Sequence, residues 1–339
     1  MDIWHKLKDE TRPILLYGTG NGADKILDEL LRLGVRVSGV FASDGFVRKR
    51  TFRSFEVMSF AEAEEKFKSF IALFAFGSHR PEVFENIKRI SQRQTLLCAD
   101  VSVCGGEIFN LEFAKKHKSE LEDVYNRLAD EQSKKVFEET VLFHLDGDIN
   151  RLFACETSED EAFDNILKIG NARRFLDLGA YNGDTALDFA SRCPSYESIT
   201  ALEPDKKSFN KLLRNTEALK LTALNCAISD EVGKIGFSFA ASRGSAAGGD
   251  AQIDAITVDS LNSEFDYIKF DVEGKEAAAI RGARETILRC KPKMLISAYH
   301  RADDYFTLVR EVLSIRDDYK IYMRHYPYVP AWDVNYYFI

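Results

Sequence analysis

Short runs of consecutive apolar residues alternate along most of this chain with stretches whose apolar positions recur every three or four residues. The runs predict strands buried on both faces, and the recurring positions predict helices with one apolar stripe. The first run, 13–17, ends in Gly18-Thr19-Gly20-Asn21-Gly22-Ala23. Ile26, Leu27, Leu30, Leu31 and Leu33 then keep helical spacing up to Gly34, which suits a left-handed helix end. Further runs at 35–41 (closing on Ser43-Asp44-Gly45), 70–76 (closing on Gly77-Ser78-His79) and 95–99 predict three more strands, with a helix over 61–67. Such alternation implies a small parallel sheet with right-handed crossovers, running to about residue 110.

From 111 to about 169 the strand signal vanishes. Residues 115–139 are charge-rich, with Leu121, Val124, Leu128, Val136 and Phe137 near helical spacing. They predict a helical connector with its charges on the wet face. At Arg173 the alternation resumes, with strands at 175–178, 199–202, 221–228, 267–270 and 293–298 and helices at 206–219 and 275–289. The last two strands, 320–324 and 334–338, are joined through Pro327-Tyr328-Val329-Pro330 and must pair antiparallel. Between 232 and 258 a strand-like insertion carries Ser242-Arg243-Gly244-Ser245-Ala246-Ala247-Gly248-Gly249, small residues that predict a loop. The expected class is α/β: a smaller α/β domain over 1–110, a helical connector over 111–170, and a larger domain over 171–339 whose parallel sheet ends in an antiparallel hairpin.

Composition narrows the partners. At 339 residues, two domains are expected, and 45% hydrophobic with 29% charged residues is ordinary for a soluble protein. A net charge of −8 argues against a nucleic-acid or anionic-membrane surface. The six cysteines form no C-x-x-C pair and sit mostly in or beside apolar runs, which predicts buried thiols and no zinc site. No apolar leader follows Met1 and no run reaches membrane length, so a cytoplasmic location is expected.

The chemistry concentrates at strand ends. Phe175-Leu176-Asp177-Leu178-Gly179-Ala180-Tyr181-Asn182-Gly183-Asp184 joins a strand to a helix through a turn where Gly179 and Gly183 let a ligand approach the backbone. Roughly 20 residues on, Ala201-Leu202-Glu203-Pro204-Asp205 puts a carboxylate where a ribose diol would be held. The turn is neither a G-x-G-x-x-G fingerprint nor a phosphate loop, so a nucleoside cofactor without phosphates fits best. Asn225-Cys226-Ala227-Ile228-Ser229-Asp230 offers an adenine clamp, with Ile228 as apolar contact and the backbone near Ala227 as hydrogen-bond partner, or else a plain strand end. In Tyr267-Ile268-Lys269-Phe270-Asp271-Val272-Glu273-Gly274, Lys269 and Asp271 bracket a strand's carboxyl end, where ligands of open α/β sheets bind. A mere Lys269–Asp271 ion pair with Glu273 capping a helix is the bland alternative. His300, closing Ile296-Ser297-Ala298-Tyr299-His300, suits a general base beside Asp271. Arg324-His325 reads as charge pairing at the sheet edge.

Taken together, these segments with Thr257-Val258-Asp259-Ser260-Leu261 and the continuation Lys275-Glu276 resemble the FkbM family of S-adenosylmethionine-dependent methyltransferases over residues 173–339. The I-K-x-D-x-E-G element is the most specific part. The resemblance implies a Rossmann-like fold and methyl transfer to a hydroxyl of a sugar, glycan or related small molecule. It carries cofactor contacts to Asp177, Gly179, Gly183, Glu203 and Asp271, with Ala180, Tyr181, Asp184, Asp205, Ala227 and Ile228 beside them. Lys269, Asp271, Glu273 and His300 are the candidate catalytic groups, with His300 or Asp271 as base. Asp271, Glu273 and His300 could instead hold magnesium or manganese, but no spacing enforces this and a metal is not expected. The leading segment resembles the small Rossmann-like domain that precedes the methyltransferase in some bacterial members. Its Gly18-x-Gly20-x-x-Ala23, with Asp44 at the next strand end, leaves open a nucleotide sugar, a nicotinamide-dependent oxidoreductase or a nucleotide-binding scaffold.

Overall fold

The computed structural model describes residues 1–43, 51–237 and 251–339. Asp44 and the Ser242–Gly249 stretch lie outside the described residues. Six strands form the leading sheet: β1 (Ile14–Tyr17), β2 (Val37–Ala42), β3 (Thr51–Phe52), β4 (Phe55–Ser59), β5 (Ile71–Phe74) and β6 (Thr95–Leu97). Their order is β3-β4-β2-β1-β5-β6, parallel except for the β3–β4 pair. The sequence pattern predicts only four of these. β3 and β4 escape it because Thr51-Phe52 is too short to show a period and Phe55-Glu56-Val57-Met58-Ser59 is only partly buried. The helix Asn21–Arg32 seats Ala23, Ile26, Leu27 and Leu30 on this sheet, as the spacing requires.

Helices fill the middle of the chain, and the longest, Glu131–Asp146, packs on the far edge of the second sheet. Asp130 caps it by accepting from the Ser133 N–H at 2.7 Å, and Ser133 Oγ accepts the Met323 N–H at 2.9 Å. Arg324, 1% exposed, reaches Asp130 at 2.7 Å and Glu161 at 2.8 Å. The charge pairing read at Arg324 is therefore a buried clamp that covers a sheet edge.

The second sheet comprises β7 (Arg174–Leu178), β8 (Ser198–Leu202), β9 (Leu221–Leu224), β13 (Tyr267–Phe270), β14 (Lys293–Ser297), β15 (Ile321–His325) and β16 (Val334–Phe338). Its order is β15-β16-β14-β13-β7-β8-β9, with β15, β16 and β14 paired antiparallel in succession and the rest parallel. Chain order reverses between β7 and β13, which makes their carboxyl ends the switch-point crevice. A separate small sheet holds β10 (Ala227–Ile228), β11 (Gly233–Phe237) and β12 (Ala251–Ile256).

Two predicted elements are split. The 221–228 strand breaks at Asn225, whose side-chain amide donates to the Glu203 carbonyl at 2.8 Å, and Ala227-Ile228 joins the small sheet. The 275–289 helix breaks into Glu276–Arg281 and Arg284–Cys290 at Gly282, where a Cβ would lie 2.2 Å from the Ser229 carbonyl oxygen. Both breaks come from close backbone approaches that no periodicity encodes.

One apolar cluster runs through both sheets, joining Tyr17, Phe41 and Phe74 to Phe270, Ile296, Met323 and Val329. Each large side chain buried there stabilises the fold by about 1.5–3 kcal/mol. The residue pair Ser78 and Val329 exchanges two backbone hydrogen bonds across the junction, at 2.9 and 3.0 Å. The leading segment is thus built into the same core as the second sheet. Among the described residues no helix is long and apolar enough to cross a membrane.

Candidate active site

The turn after β7 is shaped by close backbone contacts. Gly179 sits at φ +84°, and a Cβ there would lie 1.8 Å from the Asp271 carbonyl oxygen. Gly179 and Ala180 both donate backbone N–H groups to the Leu202 carbonyl, at 3.0 and 2.9 Å, which locks β7 against the end of β8. From that end Glu203 turns inward, 7% exposed. Its carboxylate accepts the Tyr181 N–H at 2.9 Å and the Asp205 N–H at 2.8 Å. Burial outweighs these two donors and pushes its carboxyl up to about 7. Tyr181 is 48% exposed at the rim. Asp205 caps the helix Lys206–Asn215 through the Ser208 N–H at 2.8 Å, and Asp184 is an exposed first-turn residue of the helix Asp184–Arg192. Ala227 and Ile228 are buried, so any contact with adenine from Ile228 falls to its backbone or requires its neighbours to move.

Beside the turn, β13 delivers Lys269 in register with Asp177 of β7. Lys269 Nζ lies 3.2 Å from Asp271 Oδ2 and 3.8 Å from Asp177 Oδ1. Asp177 is fully buried and neither of its oxygens has a hydrogen-bond partner. Burial raises its carboxyl to about 6, and Lys269 limits the rise. For Lys269, burial favours the neutral amine, but Asp271 and Asp177 outweigh it and keep the ammonium charged. Burial likewise pushes Asp271 up, yet Lys269 and then His300 hold it below the usual carboxylate range. The Tyr299 hydroxyl donates to Asp271 Oδ1 at 3.2 Å. The Lys269–Asp271 ion pair of the bland alternative exists, at the carboxyl end of β13.

His300, 1% exposed, stands among three carboxylates. Its Nε2 is 3.7 Å from both Asp271 Oδ1 and Glu273 Oε2, and its Nδ1 is 3.0 Å from Glu276 Oε1. Burial favours the neutral ring, but Glu276 above all, then Asp271 and Glu273, raises the imidazole to about 10. This differs from the neutral base expected from the sequence: the ring is a cation at neutral pH because acidic neighbours from another strand end surround it. Glu273, at φ +53° and 49% exposed, lines the open side. Glu276 was missed, although it stands three residues after Glu273 in the same Glu-Gly-Lys-Glu run. Its Oε1 accepts the Val272 N–H at 2.8 Å and pins the turn that carries Glu273. His325, also buried, is pushed down to about 4 by burial and plays a packing part.

The leading segment approaches from the other side. The Cys104 N–H donates to the His300 carbonyl at 3.0 Å, and Arg301 Nε donates to the Gly274 carbonyl at 3.1 Å. At the carboxyl end of its own sheet, the Gly18 α-carbon is backed by the Phe76 ring and Gly77 by the Trp332 ring, where a Cβ would lie at 2.6 and 2.5 Å. Gly20, by contrast, has open space where a Cβ would stand.

Residues 177–322 match the methyltransferase FkbM domain. The crystal structure of the methyltransferase FkbM from Methylobacillus flagellatus KT is similar at a TM-score of 0.74 and 22% identity, covering 97% of this chain and 90% of that one. The two share a fold over nearly their whole length. A putative O-methyltransferase from Klebsiella pneumoniae is similar at a TM-score of 0.35 and 13% identity, over 62% of this chain and 90% of that one. Aeropyrum pernix fibrillarin, solved with natively bound S-adenosyl-L-methionine, is similar at 0.32 and 18% identity, over 49% of this chain and 66% of that one. No curated protein matches the chain in sequence.

Proposed function

We propose that this chain, whose residues 177–322 match the methyltransferase FkbM domain, is an S-adenosylmethionine-dependent methyltransferase that methylates a hydroxyl of a sugar, glycan or related small molecule. The observation that carries this reading is the pair of partly exposed acidic groups, Asp271 and Glu273, beside His300 at the carboxyl ends of β13 and β14. Carboxylates so placed accept hydrogen bonds from a polyol, which has many donors and no charge of its own.

S-adenosylmethionine supplies an electrophilic methyl on a sulfonium. The residues present fit it: a glycine turn with no room for a Cβ, a buried Glu203 at the ribose position, and Asp177 with two unpartnered oxygens. Glu203 holds the ribose diol. Asp177, Lys269 and Asp271 fix the charge at the reacting end, where three such groups in register cost no reorganisation during transfer. Asp271, ionised and tied by Lys269 and Tyr299, accepts the acceptor hydroxyl's hydrogen bond and aligns its oxygen. Cys104 ties the leading segment to the strand end that frames the acceptor side, which supports a part for residues 1–110 in choosing the acceptor.

The test is incubation with methyl-labelled S-adenosylmethionine and a panel of sugars, nucleotide sugars and lipid-linked glycans, with the product bond located by mass spectrometry. Label on a hydroxyl oxygen of a carbohydrate is expected. Label only on nitrogen or carbon acceptors would refute the hydroxyl assignment.

A further inference from the structure

The geometry points to a divalent-cation site formed by Asp271, Glu276 and His300 at the adjacent carboxyl ends of β13 and β14. Its existence is independent of the acceptor, and only its use in catalysis rests on the methyl-transfer reading above. One donor atom from each residue lies within 4.8 Å of the other two. That span is a little over twice the metal–oxygen distance of about 2.1 Å typical of magnesium, so small side-chain shifts let one ion touch all three.

A second observation is independent of that convergence. Glu276 is 1% exposed, its Oε1 takes the Val272 N–H, and its Oε2 has no partner at all. His300 Nδ1, in a ring equally buried, lies 3.0 Å from Glu276 Oε1, so the ring and the carboxylate already face one another. An unpartnered carboxylate oxygen in the interior is costly, and a cation satisfies it. Nearby charge agrees. Asp271, Glu273 and Glu276 crowd around one imidazole, while Lys269 is engaged by Asp177 and Asp271. Oxygen donors with a single imidazole suit magnesium or manganese, and the ion enters in exchange for the proton that His300 carries when the site is empty, which passes to solvent. Asp271 at 28% and Glu273 at 49% side-chain exposure leave the outer side open to the ion and to the acceptor.

The chemical use follows from the balance of the transfer. The acceptor's O–H bond breaks and its proton passes to solvent. A C–O bond forms as the S–CH3 bond breaks, and the bonding pair stays on sulfur as a neutral thioether. An ion at Asp271, Glu276 and His300 stabilises the charge that builds on the acceptor oxygen, a service no neutral base at His300 is free to give.

Manganese alone is the probe. The full-length protein is titrated with Mn²⁺ while the spectrum of the free aquo ion is followed by electron paramagnetic resonance, and Mg²⁺ is then added as competitor. One site displaced by magnesium is expected. E276Q and H300A should each weaken it by at least about 10–100-fold, the loss seen when even outer-shell support is removed. E276Q keeps an oxygen for the Val272 N–H, so the turn is preserved. Circular dichroism and S-adenosylmethionine titration run on the same samples. No Mn²⁺ binding by the wild type, or undiminished binding by both folded variants, overturns the site. Mn²⁺ binding that depends on Glu276 and His300 supports it even if S-adenosylmethionine fails to bind, an outcome that would sink only the methyl-transfer reading.

Discussion

Glu203 offers the sharpest quantitative test of the nucleoside site. In the free protein its carboxylate holds two backbone N–H groups and is pushed up to about 7, chiefly by burial. Ribose hydroxyls donate to the ionised form, so binding at pH 6 must first remove a proton. Each pH unit below 7 should therefore weaken S-adenosylmethionine about tenfold, since one unit is about 1.4 kcal/mol. Above pH 8 the affinity should be flat. Glu203→Gln keeps the shape and abolishes the charge, and it should cost about 1–3 kcal/mol of binding at pH 8 and remove the pH dependence. Stability runs the opposite way. The folded value of about 7 exceeds the ordinary 4.5, so Glu203 contributes stability fully present below pH 4.5 and lost as pH rises through 7. Calorimetric titration at pH 6, 7 and 8, with thermal denaturation alongside, measures both. A folded Glu203→Gln protein with wild-type affinity at pH 8, or a wild type whose affinity ignores pH, would refute the reasoning.

Three further outcomes are expected. Lys269→Met leaves Asp177 buried beside Asp271 without its cation and should destabilise the fold by about 3–5 kcal/mol in urea denaturation; a loss under 1 kcal/mol would mean Asp177 is already neutral. His300→Ala removes the ring beside Asp271 and Glu273 and should lower turnover by about 10²-fold or more, the scale of losing one electrostatic group at a reacting end, while S-adenosylmethionine affinity stays within about twofold; unchanged turnover would place His300 outside the reacting end. Gly179→Ala puts a methyl on the Asp271 carbonyl at a left-handed backbone position, and should abolish cofactor binding in any protein that folds, as a filter-binding assay with labelled S-adenosylmethionine would report.

Much of the fold was legible because its causes are local. An apolar run such as Leu15-Leu16-Tyr17, or Ile26, Leu27 and Leu30 at helical spacing, fixes an element through its own residues. The carboxyl ends of β7, β8 and β13 followed, and with them Asp177, Gly179, Glu203 and Asp271, because ligands of such sheets gather at strand ends. The closing hairpin was legible for the same reason, and Ile321 does pair with Phe338 across it.

Tertiary structure alone decided what depends on neighbours distant in sequence. The breaks at Asn225 and Gly282 exist because other backbone comes too close there. The leading segment and the second sheet share one core because Ser78 meets Val329 and Phe74 joins the cluster of Phe270, contacts that no period along the chain encodes. Charge states lie furthest from the sequence. A lone His300 reads as a neutral base, yet Glu276, Asp271 and Glu273 converge on it and keep it protonated. Ionisation is set by burial and by through-space charge within a few ångströms, and only the folded chain determines which charges those are.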